Sequence, residues 1–279
     1  MQLSTLLRRA GWRGAVPAGA LPHLVPDVRQ RTLDATGSAR AADEMVAICG
    51  SLNLSQRSAV LEPTRRLART GKQIDSTSCG SAVLAMLAAT GDPTLALWLA
   101  TGRLIEARRP PELAGAASGT LASLANAPQP ARFALVQRAL KRRSTARALL
   151  GLPWPAALGT PPWGAARTAR FPGVRFRHLP VDDTDAEHLS SVLDAVERAV
   201  TCGVPVPLYC GGDSARGWAT AVPRHVVLAV GATAGGLRVW EPGAGRVVAV
   251  GRDSLAAGAG PQRALGGWAH VVWAVLPAA

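Results

Sequence analysis

Between Ser81 and Gly91 the chain carries no charged residue, and Asp92-Pro93 breaks the run. Ala, Leu and Met fill its turns, so the segment predicts a helix that is apolar around its whole circumference and must be buried on all sides. Enclosing such a helix takes a sizeable core. A length of 279 residues with 48% hydrophobic composition can supply one, as a single large domain or two small ones.

Cys79 stands at the head of this helix, behind Ser76, Thr77 and Ser78, which are all good N-cap types. Free backbone N–H groups and the macrodipole at a helix start stabilise a thiolate, and the thiolate is the nucleophilic form. Gln73, in Gln73-Ile-Asp-Ser-Thr-Ser-Cys79-Gly80, offers a side-chain amide donor near the same thiol, where an oxyanion would develop during attack on a carbonyl. The spacing points to acyl chemistry. A lone buried cysteine is usually a small hydrophobe, and what favours a nucleophile here is the combination with Gln73 and with a histidine hairpin downstream.

That hairpin begins at His225, which opens the run Val226-Val-Leu-Ala-Val230. The turn Gly231-Ala-Thr-Ala-Gly235-Gly236 follows, and then Leu237-Arg-Val-Trp-Glu241-Pro242. Pairing His225 with Glu241 about residue 233 is an antiparallel register that puts both on one face, with opposed Cβ atoms about 4.5–5.5 Å apart. Glu241 can then hold the imidazole while its other nitrogen points outward. Trp240 falls on the opposite face and reads as core. Among the other histidines, His270 has no acid or amide after it, His178 sits among cations, and His23 and His188 lie in a Pro-rich leader and on a helix face.

Helices are expected over Ser38 to Cys49, Gln56 to Arg69 with a break near Pro63, Leu95 to Ala107, Arg132 to Leu150 and His188 to Val200. Residues 1 to about 35 read as a loosely structured leader, and Gly151 to Pro172 as a loop-rich region whose Trp154 and Trp163 either line a cleft or pin the segment down. From Val204 onward short apolar runs predict strands: Val204 to Tyr209, His225 to Val230, Leu237 to Trp240, Arg246 to Val250 and His270 to Leu276. A helical first half and a strand-rich second half argue an α+β architecture with a mostly antiparallel sheet.

The 31 basic and 18 acidic residues give +13, and only Lys72 and Lys141 are lysine. Part of that excess follows from a composition rich in Ala, Arg, Gly and Pro, but it also suits an acidic partner or polyanion. On the 132–150 helix, Phe133, Val136, Leu140 and Leu149 lie broadly on one side, while Arg138, Lys141, Arg142, Arg143 and Arg147 crowd the rest. This reads as a solvated face, and no aromatics interleave the charges for base stacking, which argues against nucleic acid. Residues 113–131 and 148–166 are uncharged windows of membrane-span length, but small, polar and proline residues argue against a transmembrane helix in either. Four scattered cysteines, at 49, 79, 202 and 210, form neither a disulfide framework nor a Cys-x-x-Cys zinc site. With no signal-peptide core near Arg8, Arg9 and Arg13, a reduced cytoplasm is the expected compartment.

These residues resemble the papain-like cysteine peptidases, and among them the bacterial double-glycine leader peptidases and their stand-alone relatives. The resemblance rests on Gln73 with Cys79-Gly80 opening a helix, Gly203-Val-Pro-Val-Pro, Arg224-His225-Val-Val-Leu-Ala-Val-Gly231 and Trp240-Glu241-Pro242-Gly243. It covers about residues 70–92 and 189–276, leaving an N-terminal extension over 1–69 packed on the domain and an insertion over about 93–180. It implies a helical lobe carrying the cysteine packed on a sheet carrying the histidine. The roles it implies are Cys79 as nucleophile, His225 as base and then acid, Glu241 as orienting residue and Gln73 as oxyanion donor, with no cofactor and a peptide or protein substrate. The third position is usually Asp or Asn before Pro in that group, and Glu241 is longer by a methylene. The acyl acceptor stays open between water and an amine or thiol. A non-catalytic scaffold that binds an acidic partner is the alternative from another class.

Overall fold

The computed structural model describes residues 3–9, 14–211, 223–256 and 260–278. The helices are α1 Leu3–Arg9, α2 Val28–Thr36, α3 Ala39–Ser51, α4 Leu54–Leu61, α5 Pro63–Arg66, α6 Cys79–Gly91, α7 Pro93–Thr101, α8 Ser118–Ala125, α9 Gln129–Thr145, α10 Pro162–Thr168 and α11 Ala186–Thr201. The strands are β1 Arg175–Pro180, β2 Val206–Gly211, β3 His225–Thr233, β4 Gly236–Glu241, β5 Arg246–Gly251 and β6 His270–Ala278. They form one sheet in the order β1-β6-β2-β3-β4-β5, antiparallel at every pairing. The chain is therefore α+β.

The uncharged helix sits where its composition requires. Every residue of α6 is buried. It packs on β2 and β3 and is enclosed by α5, α7, α9 and α10. Asp92 ends α6 and caps α7, its side chain accepting from the Thr94 N–H at 2.9 Å. The two helices turn by 115° at that residue. Among the described residues no single helix is long and apolar enough to cross a membrane.

Several boundaries differ from the sequence expectation. The α7 helix stops at Gly102 rather than near Ala107, because Gly102 adopts φ +77° and a Cβ there would lie 1.9 Å from the Ala125 carbonyl oxygen. The Arg132 guanidinium satisfies the carbonyls of Leu99 and Ala100 at that end. The leader holds α2, capped by Asp27 and closed by Gly37 at φ +67°. It has cap and stop signals but few apolar residues between them. Arg31 ties α2 inward by donating to the carbonyls of Leu61 and Thr90. The β1 strand shows no strand pattern in the sequence, because its buried Phe176 and Leu179 are separated by charged or polar residues and flanked by prolines. On α9, Phe133, Val136 and Leu140 are buried as expected, but the helix ends at Thr145 and leaves Leu149 exposed.

Candidate active site

Three of the four expected residues meet at the junction of α6 with the sheet. Cys79 is the first residue of α6 and is buried. The residue before it, Ser78, occupies the cap position without capping. Its φ and ψ of −107° and 5° are not the extended pair that a cap side chain needs, and its Oγ instead accepts from the Ile74 and Asp75 N–H groups at 3.0 Å each. The first N–H groups of α6 therefore keep their positive potential at the thiol.

His225 opens β3, and its Nε2 lies 2.8 Å from Oε1 of Glu241, which closes β4. Cys79 lines the same cavity as His225, and its thiol beside the ring favours the protonated imidazole. Burial depresses the imidazole's proton affinity, but the Cys79 and Glu241 hydrogen bonds and charges outweigh it and push His225 up to about 9. Burial opposes ionisation of Glu241 as well. Hydrogen bonds from His225, from the Ala244 N–H at 2.6 Å and from the Gly243 N–H at 2.6 Å override that and hold the carboxyl below its ordinary value. Pro242-Gly243 makes this possible, since a Cβ at Gly243 would stand 2.9 Å from Oε1.

The register that brings them together is not the one expected. Thr233 pairs with Gly236 and Leu228 with Trp240, with a bulge between Ala229 and Gly231. Continuing that register by one residue sets Glu241 opposite Val227, two positions from His225 on the same strand face. The contact is thus diagonal, where Cα separations are about 7–8 Å rather than 4.5–5.5 Å. The extra methylene of Glu241 spans that diagonal. Trp240, on the other face, is fully buried and donates to the Ala68 carbonyl at 3.1 Å.

Gln73 is placed differently. Its backbone N–H bonds the Pro242 carbonyl at 3.0 Å, which ties the cysteine loop to the residue after Glu241. Its amide nitrogen donates to the Asp75 carbonyl at 3.0 Å, and its Oε1 is buried without a partner among the described residues. Lys141, expected on a solvated face, turns inward to Thr77 and stands 3.7 Å from Asp75 Oδ1, bracing the same loop.

Sequence reasoning left the walls of the site unassigned. A cavity of about 430 Å³ opens at Cys79 and His225, bounded by Trp154, Thr160, Trp163, Tyr209 and Trp273 among others. Residues 154–163 supply much of it from the loop-rich region. Gly80 admits this segment, since a Cβ there would lie 2.7 Å from Thr160 Cβ. Tyr209 fixes it by donating to the Thr160 carbonyl at 2.9 Å. Trp154 and Trp163 meet edge to face at 5.3 Å, and Trp163 donates to the Ala148 carbonyl at 2.5 Å. They line the cleft and pin the segment at once. The one signal for this in the sequence was two tryptophans among prolines and glycines.

An imidazole buried between a thiol and an ionised carboxylate can take a proton from the first while the second orients it. Among the described residues no group of His, Cys, Asp and Glu is arranged to hold a metal ion. The chain matches no protein-family model, no curated protein and no solved structure.

Proposed function

We propose that the chain is a papain-like thiol hydrolase that cleaves an amide bond through an acyl-enzyme on Cys79. The observation that carries this reading is that Cys79, the first residue of a buried helix, shares one cavity with His225, whose far nitrogen is bonded to Glu241 at 2.8 Å. His225 Nδ1 accepts the thiol proton and the thiolate attacks the amide carbonyl carbon. The tetrahedral oxyanion is held by the Cys79 backbone N–H at the head of α6. As the C–N bond breaks, His225 returns its proton to the leaving amine and a thioester remains. Water, deprotonated by His225, then releases the carboxylic acid and restores the thiol. Glu241 keeps the imidazolium in place throughout. The tryptophan-lined cleft suits an apolar group next to the scissile carbonyl.

A brief pulse of a mild thiol alkylator near pH 6, read by peptide mass spectrometry, tests the reading. Cys79 is expected to label at least about tenfold faster than Cys49, whose thiol is pushed up by burial. His225→Ala should abolish the difference. Labelling of Cys79 no faster than Cys49 or Cys202 in the wild type sinks the proposal.

A further inference from the structure

Residues 113–181 contain ten Arg or Lys and no Asp or Glu. Three of the ten turn inward: Arg132 to backbone carbonyls, Lys141 to Thr77, and Arg170 to Asp92 and Glu112. Arg138, Arg142, Arg143, Arg147 and Arg167 are exposed, and none pairs with a carboxylate among the described residues. Two of these, Arg147 and Arg167, stand beside an apolar projection, with Arg167 donating to the Arg147 carbonyl. Leu149 and Leu152 bond each other's backbone at 3.0 and 2.8 Å, closing a turn whose two central residues, Leu150 and Gly151, have φ of +49° and +91°. Leu150 is 101% exposed, and Leu149, Leu152 and Leu158 are 43%, 64% and 53% exposed.

Asn, Asp or Gly belongs at the first central position of such a turn, and a leucine there is held in the unfavourable left-handed region. Leu150 returns nothing for that cost within the chain, since it touches only solvent. An outlier kept without internal compensation points to an external partner. A protruding apolar tip needs a matching pocket to seat on a protein, whereas it enters a bilayer without a complementary surface. An apolar insertion with a basic collar is the pair of signals that holds a peripheral protein on anionic lipid. Arg167 donates to the Arg147 carbonyl, and Trp163 to that of Ala148, so collar, tip and cleft wall form one unit. Leu158 and Trp154 belong to both the cleft and the base of this projection.

We propose that the Leu149–Leu152 turn, with Arg147 and Arg167 beside it, docks the chain on an anionic lipid bilayer, with the Cys79 cleft opening beside that surface. This goes beyond the hydrolase reading and does not need it, so the test uses full-length Cys79→Ala protein. The protein is sedimented with vesicles of phosphatidylcholine alone or of phosphatidylcholine with phosphatidylserine. Binding to the anionic vesicles only, weakened by salt, is expected. Leu150→Asn, which suits the left-handed turn and so keeps the fold, should lower partitioning at least about tenfold. Arg147→Ala should lower it about fivefold. Absence of binding to anionic vesicles, equal binding to neutral ones, or an unchanged Leu150→Asn variant overturns the proposal. Retention on immobilised polyglutamate without vesicle binding would assign the surface to an acidic peptide instead.

Discussion

Among the described residues two histidine–carboxylate pairs stand in this sheet, and only one of them lines a cavity shared with a thiol. His225 opens β3 and bonds Glu241 at 2.8 Å, while His270 opens β6 and bonds Asp183 at 2.5 Å through Nδ1. Both acids are buried. Asp183 belongs to the segment leaving β1 toward α11, so its bond with His270 fastens that connection to the sheet. His225 has in addition a thiol at a helix start on its free side, a cavity in front, and Gly266 pressed against the ring, where a Cβ would lie 2.5 Å from Cδ2. A carboxylate behind a histidine thus serves structure in one place, and a thiol with open space before it is what sets the His225 pair apart.

The largest expected effect breaks the His225 site outright: Cys79→Ala should lower amide hydrolysis by about 10⁴-fold or more, measured on a fluorogenic peptide amide, whereas Cys210→Ala should not. Next, His225→Ala should lower kcat/KM by roughly 10²–10⁴-fold. His270→Gln should leave the rate unchanged and lower unfolding stability by about 1.5–3 kcal/mol, read by denaturant titration. A rate loss in His270→Gln comparable to that in His225→Ala would end the distinction between the pairs.

Glu241→Gln sharpens the comparison through pH. The wild-type rate should fall as His225 loses its proton near pH 9. Removing the carboxylate charge takes away a contribution that raises His225, so the falling limb of the pH–rate profile should move to lower pH. An unmoved limb would deny Glu241 its orienting role.

The smallest effect is on stability. His225 rises from 6.5 to about 9 on folding, so its contribution is complete below about 6.5 and is lost as pH rises through about 9. Glu241 is held below 4.5, so its contribution is present above that value and is lost as pH falls through its lower folded value. The pair should therefore stabilise most between about pH 4.5 and 6.5, and in thermal melts Glu241→Gln should lose the acid-side decline and bring the alkaline decline to lower pH.

How the two pairs came to light also shows where sequence reading ends. His225 and Glu241 lie on one hairpin, 16 residues apart, so local turn chemistry brings them near each other. His270 and Asp183 are separated by 87 residues, with the acid first, and no local pattern joins them. Even within the hairpin, the bulge at Ala229–Gly231 and the diagonal contact lay beyond a count of residues. Gln73 was placed near the cysteine by spacing, yet the structure commits its amide nitrogen to Asp75 and its backbone to Pro242.

Periodicity, cap residues and turn residues act between neighbours in the chain. By themselves they determined that α6 is buried, that Cys79 heads it, that the last third of the chain is rich in strands and that the architecture is α+β. Tertiary structure decided what covers the thiol. Thr160, Tyr209, Trp163 and Trp273 reach the cleft from distant segments, and Gly80 admits Thr160 only because no side chain stands between them. Such contacts depend on packing between elements far apart in sequence, which local patterns do not encode.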